Sequence, residues 1–446
     1  MADETVTKTR SIGEILGDSA ARDQMIEIFA DVNPALIDET TEISSLFTPQ
    51  SAQQLLSQLT GFAQLLSEED SYEQTVAKLQ AQIDKAEAIR DELLEQIFEK
   101  IRPIEASFRQ VRLFFENARN PKAKFQRPVQ LFIINADIKA MKDVYSETLA
   151  CIEYNVKQRN DNFNFRDDIC NLVVPGVINQ GVRDKLEKLA ETWGMLLVTD
   201  IDDEKSFMNV ERNFRPGGKY EFLKRNEDQA AADVALMGYL QLRPRHWFEK
   251  NIDGGDDLWG PPSLAFAAAI ARTDESEGIA QGPVGSRFGQ ISGVDKCRIE
   301  PLISEMEHIT IERQLVPIVR DANNRLVFFG CRTLADDPYG VYKFFTSYRI
   351  LRYIERRCSV HLRGVQGHVL TRDFIDESVE KPLRRVLDEV EAEGAILGYK
   401  LTVDKDSMKR MQGICDISLE VMPTGPGETF VFSIDVPEFP PIEKGE

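Results

Sequence analysis

The sequence predicts a mixed α/β protein in which a helical N-terminal region precedes an alternating body and strands close the chain. Three patterns carry that expectation. A long amphipathic stripe runs to Asn117, buried-type strands alternate with helices between Arg127 and Asp203, and apolar side chains recur at every second position near the C-terminus. The chain has 446 residues, 42% of them hydrophobic, enough for two or three domains with cores of their own.

Residues 1–35 are a polar arm, TVTKTRSIGEIL onward, with too little apolar content for a core, expected to be disordered or attached to something else. From Thr48 the pattern is helical: Val76, Leu79, Ile83, Ala86, Leu93, Ile97 and Ile101 share one stripe. Pro103 is expected to break that helix before a second pattern through Phe108, Val111 and Phe115. A helical hairpin or small bundle fits. A coiled-coil partner helix fits less well, because Arg90 interrupts the seam.

The α/β body comes next in the chain. VQLFIINAD, a helix from Ile138 to Asn155, NLVVPG, a helix from Val177 to Trp193, and MLLVTDID resemble parallel βαβ units with buried strands. A further helix is expected from Gln229 to Arg243-Pro244. A glycine-rich connection from Asp253 to Gly293 encloses SLAFAAAIAR, a small-residue helix suited to close packing. VPIVR and LVFFGCR read as two strands around Ala322-Asn323-Asn324, and Tyr348 to Arg357 as a helix with basic and apolar faces.

The last segment holds a helix from Asp373 to Glu393, with Ile375, Val379, Leu383, Val386 and Val390 as its buried stripe and Pro382 starting a second helix or kinking the first. Ile417, Leu419 and Val421 alternate with polar residues, and Phe430, Phe432, Ile434 and Val436 repeat the rhythm after a Pro/Gly break, the pattern of a β-hairpin. Two strands alone are marginal in water, so this ribbon is expected to join a larger sheet in its own chain or another. The expected domains are 1–35 (arm), 36–125 (helical region), 126–252 (α/β body), 253–371 (core domain) and 372–446 (C-terminal domain).

Composition narrows the chemistry. Net charge is −20, from 54 basic and 74 acidic residues, which argues against nucleic acid or an anionic membrane as the main partner. No apolar run reaches the roughly 18 residues of a membrane span and the start lacks a leader pattern, so a cytoplasmic protein without membrane insertion is expected. Cys151, Cys170, Cys297, Cys331, Cys358 and Cys415 form no CxxC and read as reduced core thiols. His246, His308, His361 and His368 form no HExxH. Asp200, Asp202 and Asp203 would suit Mg²⁺, but no partner motif accompanies them and a solvated acidic loop accounts for them. VVPGVINQGVRDK supplies neither phosphate-loop pattern. No cofactor is expected. An α/β enzyme over residues 127–250, using acids such as Asp200 and Asp202, lacks a nucleophile elbow, metal set or phosphate loop. Arg349, Arg352, Arg356 and Arg357 form a local basic patch of the kind an acidic protein would need in a crowded assembly.

The stretch from Leu315 to Cys358 carries a resemblance. Gly330-Cys331-Arg332-Thr333-Leu334, then Asp336-Asp337-Pro338, then an aromatic-rich strand leading to Arg349, Ile350 and Tyr353-Ile354-Glu355 resembles the core motif of contractile sheath proteins, which build phage tails, phage-tail-like particles and the type VI secretion sheath. The continuation, LTRDFIDESVEKPLRRVLDEVEAEGAILGYKLTVDKD and the closing ribbon, is similar to that family's C-terminal order of helix, proline, helix, strand, loop and strands. The resemblance is good from Pro261 onward and weaker before it. An N-terminal arm followed by helices looks most like the large subunit of the two-component type VI sheath. A shorter chain and a divergent centre suggest a divergent branch, with the sheath of a phage-tail-like injection particle as the alternative.

The resemblance implies a contractile tail-sheath-like fold and a structural, non-enzymatic role: polymerising around an inner tube protein and contracting to drive it through a target membrane. The implied partners are a small sheath subunit, neighbouring protomers, the tube, a baseplate, and a recycling AAA+ unfoldase reached through the small subunit. It marks Arg332, Thr333, Leu334, Asp337, Pro338, Arg349, Tyr353 and Glu355 as motif residues. Arg332 and Asp337 are an expected ion pair. Strand sharing between subunits falls to Ile417, Leu419, Val421, Phe430, Phe432, Ile434 and Val436. Glu377, Glu380, Arg384, Asp388 and Glu391 are either a tube-facing row or a solvated face.

Overall fold

The computed structural model describes residues 72–119, 129–136, 141, 145–160, 170–176, 179–221, 223, 228–336 and 340–428. The chain divides into two units, Met1–Gln96 and Ile97–Glu446. Helix α1, Tyr72–Ala118, is 47 residues long and runs through Pro103, where the sequence predicts a break. An interior proline removes a backbone hydrogen bond and crowds the preceding turn, at about 3 kcal/mol or more. Anchors on both sides of Pro103 offset that cost. Arg102 donates to Glu249 (3.0 Å), to Asp253 (2.9 Å) and to the carbonyls of Asp256 and Asp257. Glu105 receives two arms of Arg243, each at 2.7 Å. The apolar stripe of α1 stays largely open: Val76, Ile83, Leu93, Ile97 and Ile101 are exposed.

The body consists of α2 (Glu147–Asn160), β1 (Asn171–Val173), α3 (Gln180–Thr192), β2 (Leu196–Asp200), α4 (Phe207–Asn213), β3 (Asp233–Met237), β4 (Leu240–Arg243), β5 (Leu258–Gly260), α5 (Ser263–Glu277), β6 (Leu315–Arg320) and β7 (Leu326–Phe328). One five-stranded sheet has the order β1-β2-β3-β6-β7, parallel except for the β6–β7 hairpin. Burial on both faces explains the continuous apolar runs of β2 and β3, every residue of which is buried. Asn179 caps α3 by accepting the Val182 N–H at 2.9 Å, and Val182, Leu186 and Ala190 on its inner face are fully buried. Arg183 reaches inward from α3 to Thr199 (2.8 Å) and Asp233 (2.5 Å), a buried ion pair joining β2 and β3. Helix α5 is buried almost all round, and Phe266 meets Phe328 and Phe345 edge-on at 5.0 and 5.6 Å.

Two expected elements differ. Val129–Ala136 forms no strand; Val129 and Leu131 pack against the cluster of Phe114, Ala118, Ala267 and Ala268 while Phe132 and Ile133 face outward. The helix expected from Gln229 to Arg243 is a 3₁₀ turn, Asp228–Ala232, followed by strands β3 and β4. Gly238 divides those strands at φ 99°, where an added Cβ would lie 2.7 Å from Cys297 Sγ.

Beyond the sheet, α6 (Phe345–Gly364) leads into a C-terminal lobe. The aromatic-rich stretch expected as a strand is a 3₁₀ turn, Val341–Lys343, and the first turn of α6, with one β-bridge from Arg332 to Phe344. Arg372–Phe374, a π-helical stretch Ile375–Glu380 and α7 (Lys381–Ala392) run on without interruption, so Pro382 lies in the first turn of α7. Strand β8 (Ile396–Val403), a short helix α8 (Ser407–Met411) and β9 (Ile417–Pro423) complete the lobe. Ile350, Ile354, Ile375, Val379, Leu383, Leu387, Val390, Ile396 and Leu401 form its core. The buried position expected at Val386 belongs to Leu387; Val386 is half-buried.

Candidate strand-acceptor site

Strand β9 pairs antiparallel with β8, with Val403 opposite Ile417, Leu401 opposite Leu419 and Tyr399 opposite Val421. β8 is thus the partner of this stretch among the described residues, and Phe430, Phe432, Ile434 and Val436, with which it is expected to pair, lie outside them. The β8–β9 sheet has two strands, so among the described residues neither outer edge carries a partner strand. Ile417, Leu419 and Val421 turn inward and are half-buried, while Ser418, Glu420 and Met422 face solvent.

An open apolar groove of about 510 Å³ lies beside β9. Leu351, Cys358 and Leu362 of α6 and Leu387 of α7 line it opposite Ile417, Leu419 and Val421. The inward side chains of β9 pack against the core of the lobe and also form one wall of this groove. An unpaired strand edge beside apolar surface is a template for an added strand.

Helix α6 holds this lobe to the body. Tyr348, fully buried, donates its hydroxyl hydrogen bond to the Met195 carbonyl at 3.2 Å, and Arg356 donates to the Gly194 carbonyl at 2.9 Å. Arg349 is buried against Asp274, Arg352 pairs with Glu355 at 2.8 Å and Arg357 with Glu389 at 3.1 Å. The expected basic patch is consumed inside the subunit. Among the motif residues, Thr333 is buried, its hydroxyl donating to the Tyr342 carbonyl at 2.6 Å, and the Leu334 N–H donates to the Asp233 carbonyl at 3.0 Å. Tyr353 is half-buried in the lobe. Arg332 engages Glu428 through Nε and Nη2, at 2.5 and 2.8 Å; Asp337 and Pro338 lie outside the described residues. Glu428, Asp274 and Tyr348 are structural partners that the sequence patterns do not single out, being remote in the chain from the groups they bind.

The charged row on the helix ending in α7 is mostly paired within the subunit. Glu377 meets Lys381, Glu380 binds Arg384 (2.8 Å) and Lys405 (2.7 Å), and Asp388 accepts the Tyr399 hydroxyl at 2.5 Å. Glu391 is exposed. Elsewhere, Asp200 is buried and accepts the N–H groups of Gly176 and Ser263, Asp202 pairs with Lys219 at 2.5 Å, and Asp203 pairs with Arg298 at 2.6 Å. Among the described residues no His, Cys, Asp and Glu cluster is arranged to hold a metal, and no helix is long and apolar enough to cross a membrane. The six cysteines form no disulfide with one another; Cys297 and Cys331 are buried, but Cys151 and Cys170 are exposed, contrary to the core placement expected of them.

No curated protein sequence matches the chain. Among solved structures, it is similar to a chain in the cryo-EM structure of the anti-feeding prophage baseplate, at TM-score 0.52 and 16% identity over 73% of this chain and 79% of that one. A chain in the contracted baseplate of the same particle matches at TM-score 0.50 and 16% identity, over 64% of this chain and 76% of that one. The sheath complex of an extracellular contractile injection system matches at TM-score 0.48 and 14% identity, over 64% and 80%. The two baseplate matches carry the fold: the chain is folded like those baseplate chains. The family model described as type VI secretion system TssC/VipB, central domain, matches residues 96–336. That span takes in the α/β body, where the sequence resemblance is weaker, and stops within the motif stretch. With more than half its length matched by that model, the chain belongs to the TssC/VipB family of type VI secretion sheath proteins and is a contractile sheath subunit.

Proposed function

We propose that this sheath subunit polymerises by sharing strands at the outer edge of β9. The incoming segment carries apolar residues at every second position, and Phe430, Phe432, Ile434 and Val436 of another copy have that pattern. One observation carries the reading: among the described residues a two-stranded sheet has an open edge beside an apolar groove of about 510 Å³. A strand added there hydrogen-bonds along β9 and turns alternate side chains toward Leu351, Cys358 and Leu362.

Burying one Val, Ile or Phe contributes about 1.5–3 kcal/mol, whereas fixing each residue's backbone costs about 1–2 kcal/mol. A single strand is close to balance, so the polymer is held by many such links. Head-to-tail links of this kind do not close on themselves and generate a helical tube. Contraction is then a rotation of the bodies about links that stay connected. A smaller sheath partner supplying further strands, and a recycling unfoldase reached through it, belong to the same reading. So does the tube-facing row, in which Glu377, Asp388 and Glu391 make weak, screened contacts that release during the stroke. In this reading residues 372–446 act as the clasp domain.

Two variants test donor and acceptor separately, in cells co-producing the protein encoded beside this one. Removing residues 429–446 takes away the donor, and Leu351→Lys places a charge in the groove. Each chain is expected to keep the thermal transition of the unaltered chain and to form no tubes in negative-stain micrographs. Tubes from the truncated chain would refute the donor; tubes from Leu351→Lys would refute the groove.

A further inference from the structure

After β9 the chain crosses from the C-terminal lobe back to the body. Thr424 is held first: its N–H donates to the Ala395 carbonyl at 2.9 Å and its hydroxyl to the Gly394 carbonyl at 2.8 Å. Gly425 sits against the Phe344 ring, where an added Cβ would lie 3.8 Å from it. Glu428 then takes the Arg332 guanidinium with both carboxylate oxygens, at 2.5 and 2.8 Å, and the two side chains are only 12% and 20% exposed, Arg332 being the less exposed. Arg332 is fixed from its own side by the bridge to Phe344 and by donation to the Ile311 carbonyl at 3.3 Å.

A two-pronged arginine–carboxylate pair is both stronger and more exacting in geometry than an ordinary surface ion pair. Pro423 and Pro426 flank the crossing; neither has an N–H for a sheet ladder, and both restrict the backbone. Residue 428 is therefore held at a defined place on the body. Phe430 comes two residues later.

The donor pattern itself cannot choose a register. Phe430, Phe432, Ile434 and Val436 alternate so evenly that a slip of two residues keeps every apolar side chain on the groove face. Something outside the strand has to select among these alignments. We infer that the Arg332–Glu428 pair is a register pin: it fixes where the donor strand leaves its own body, so that the alignment on the acceptor is set before the strand docks. This rests on the strand-sharing reading above, with Arg332 as a positioning residue that acts through Glu428.

The test is a cross-linking ladder in sheaths isolated from the producing cells. Ser433→Cys on the outward face of the donor is combined with Ser418→Cys, Glu420→Cys or Met422→Cys on the outward face of β9, and oxidised products are mapped by mass spectrometry. With the Arg332–Glu428 pair intact, one rung of the ladder is expected to take nearly all of the cross-link. Glu428→Ala is expected to spread the product over neighbouring rungs, and the exchanged pair Arg332→Glu with Glu428→Arg to restore the single rung. A single rung that survives Glu428→Ala overturns the pin while leaving strand sharing intact. No cross-link between copies when the pair is intact overturns strand sharing, and the pin with it.

Discussion

His361 Nε2 lies 2.9 Å from the carbonyl oxygen of Ser378, and the residue one α-helical turn after Ser378 is Pro382. In an uninterrupted α-helix that carbonyl would receive the N–H of residue 382, and proline has none to give. The imidazole of α6 supplies a donor instead, so the helix breaker becomes a contact between the two helices that line the groove. His361→Ala should destabilise the chain by about 0.5–1.5 kcal/mol, the usual net worth of a hydrogen bond at a partly buried site. In a Pro382→Ala background, which provides the missing N–H, the same change should cost much less. A double-mutant cycle by urea denaturation reads the coupling; equal losses in both backgrounds would remove the imidazole from this role.

The buried place expected of Val386 falls to Leu387 for a related reason. The stretch Ile375–Glu380 is π-helical, and a π turn takes more residues than an α turn, so the inward positions fall at 375, 379, 383 and 387. Leu387→Ala should therefore cost about 2–5 kcal/mol, as for a large side chain removed from a closed core. Val386→Ala should cost well under half of that. Thermal unfolding of the two variants distinguishes them, and similar losses would contradict the shifted phase.

The same residues show what periodicity can reveal. Strands β1, β2, β6 and β7 and helices α3 and α5 are legible in the sequence because each buries a face, or all of itself, in register with its own local pattern. The Ala-rich run before Met237 reads as helix because alanine favours helices, and nothing local reveals that β3 lies between β2 and β6, buried on both faces. Pro103 reads as a break because the contacts that hold α1 continuous, Arg102 to Glu249 and Glu105 to Arg243, join residues more than a hundred positions apart. The alternation of Ile417, Leu419 and Val421 identifies a strand with one apolar face. It cannot show that β8 lies on one side of it and an open groove on the other.

Hydrogen bonds from Arg243 hold the Glu105 and Glu249 carboxyls at about 2, well below the ordinary 4.5. A carboxyl lowered by folding contributes stability that is complete above its unfolded value and lost as pH falls through the folded one. The anchor of α1 should therefore weaken between about pH 4.5 and about pH 2. Arg243→Met leaves Glu249 buried with one fewer partner, and should cost about 3–5 kcal/mol at neutral pH, as for a broken buried ion pair. It should also flatten the acid limb of the stability profile. Urea titrations from neutral pH down into that acid interval read both effects; an unchanged acid limb in the variant would show that the network is not its source.

Asp200 behaves in the opposite sense. Burial at the end of β2 pushes its carboxyl up to about 7 from an ordinary 3.8, even though the N–H groups of Gly176 and Ser263 favour the charged form. A group whose folded value is raised binds more protons in the folded state across the interval between the two values. Stability from this group is therefore complete below about 3.8 and declines as pH rises to about 7. The decline matters because Asp200 joins three elements: β2, the loop after β1, and the first turn of α5, which packs against the start of α6 through Phe266 and Phe345. Asp200→Asn keeps the size of the side chain and one acceptor but cannot titrate. The difference in urea midpoint between parent and variant should shift in the variant's favour as pH rises from about 4 to about 7, whatever their offset at the acid end. A constant difference across that interval would mean that Asp200 stays ionised throughout, with its two backbone donors outweighing burial.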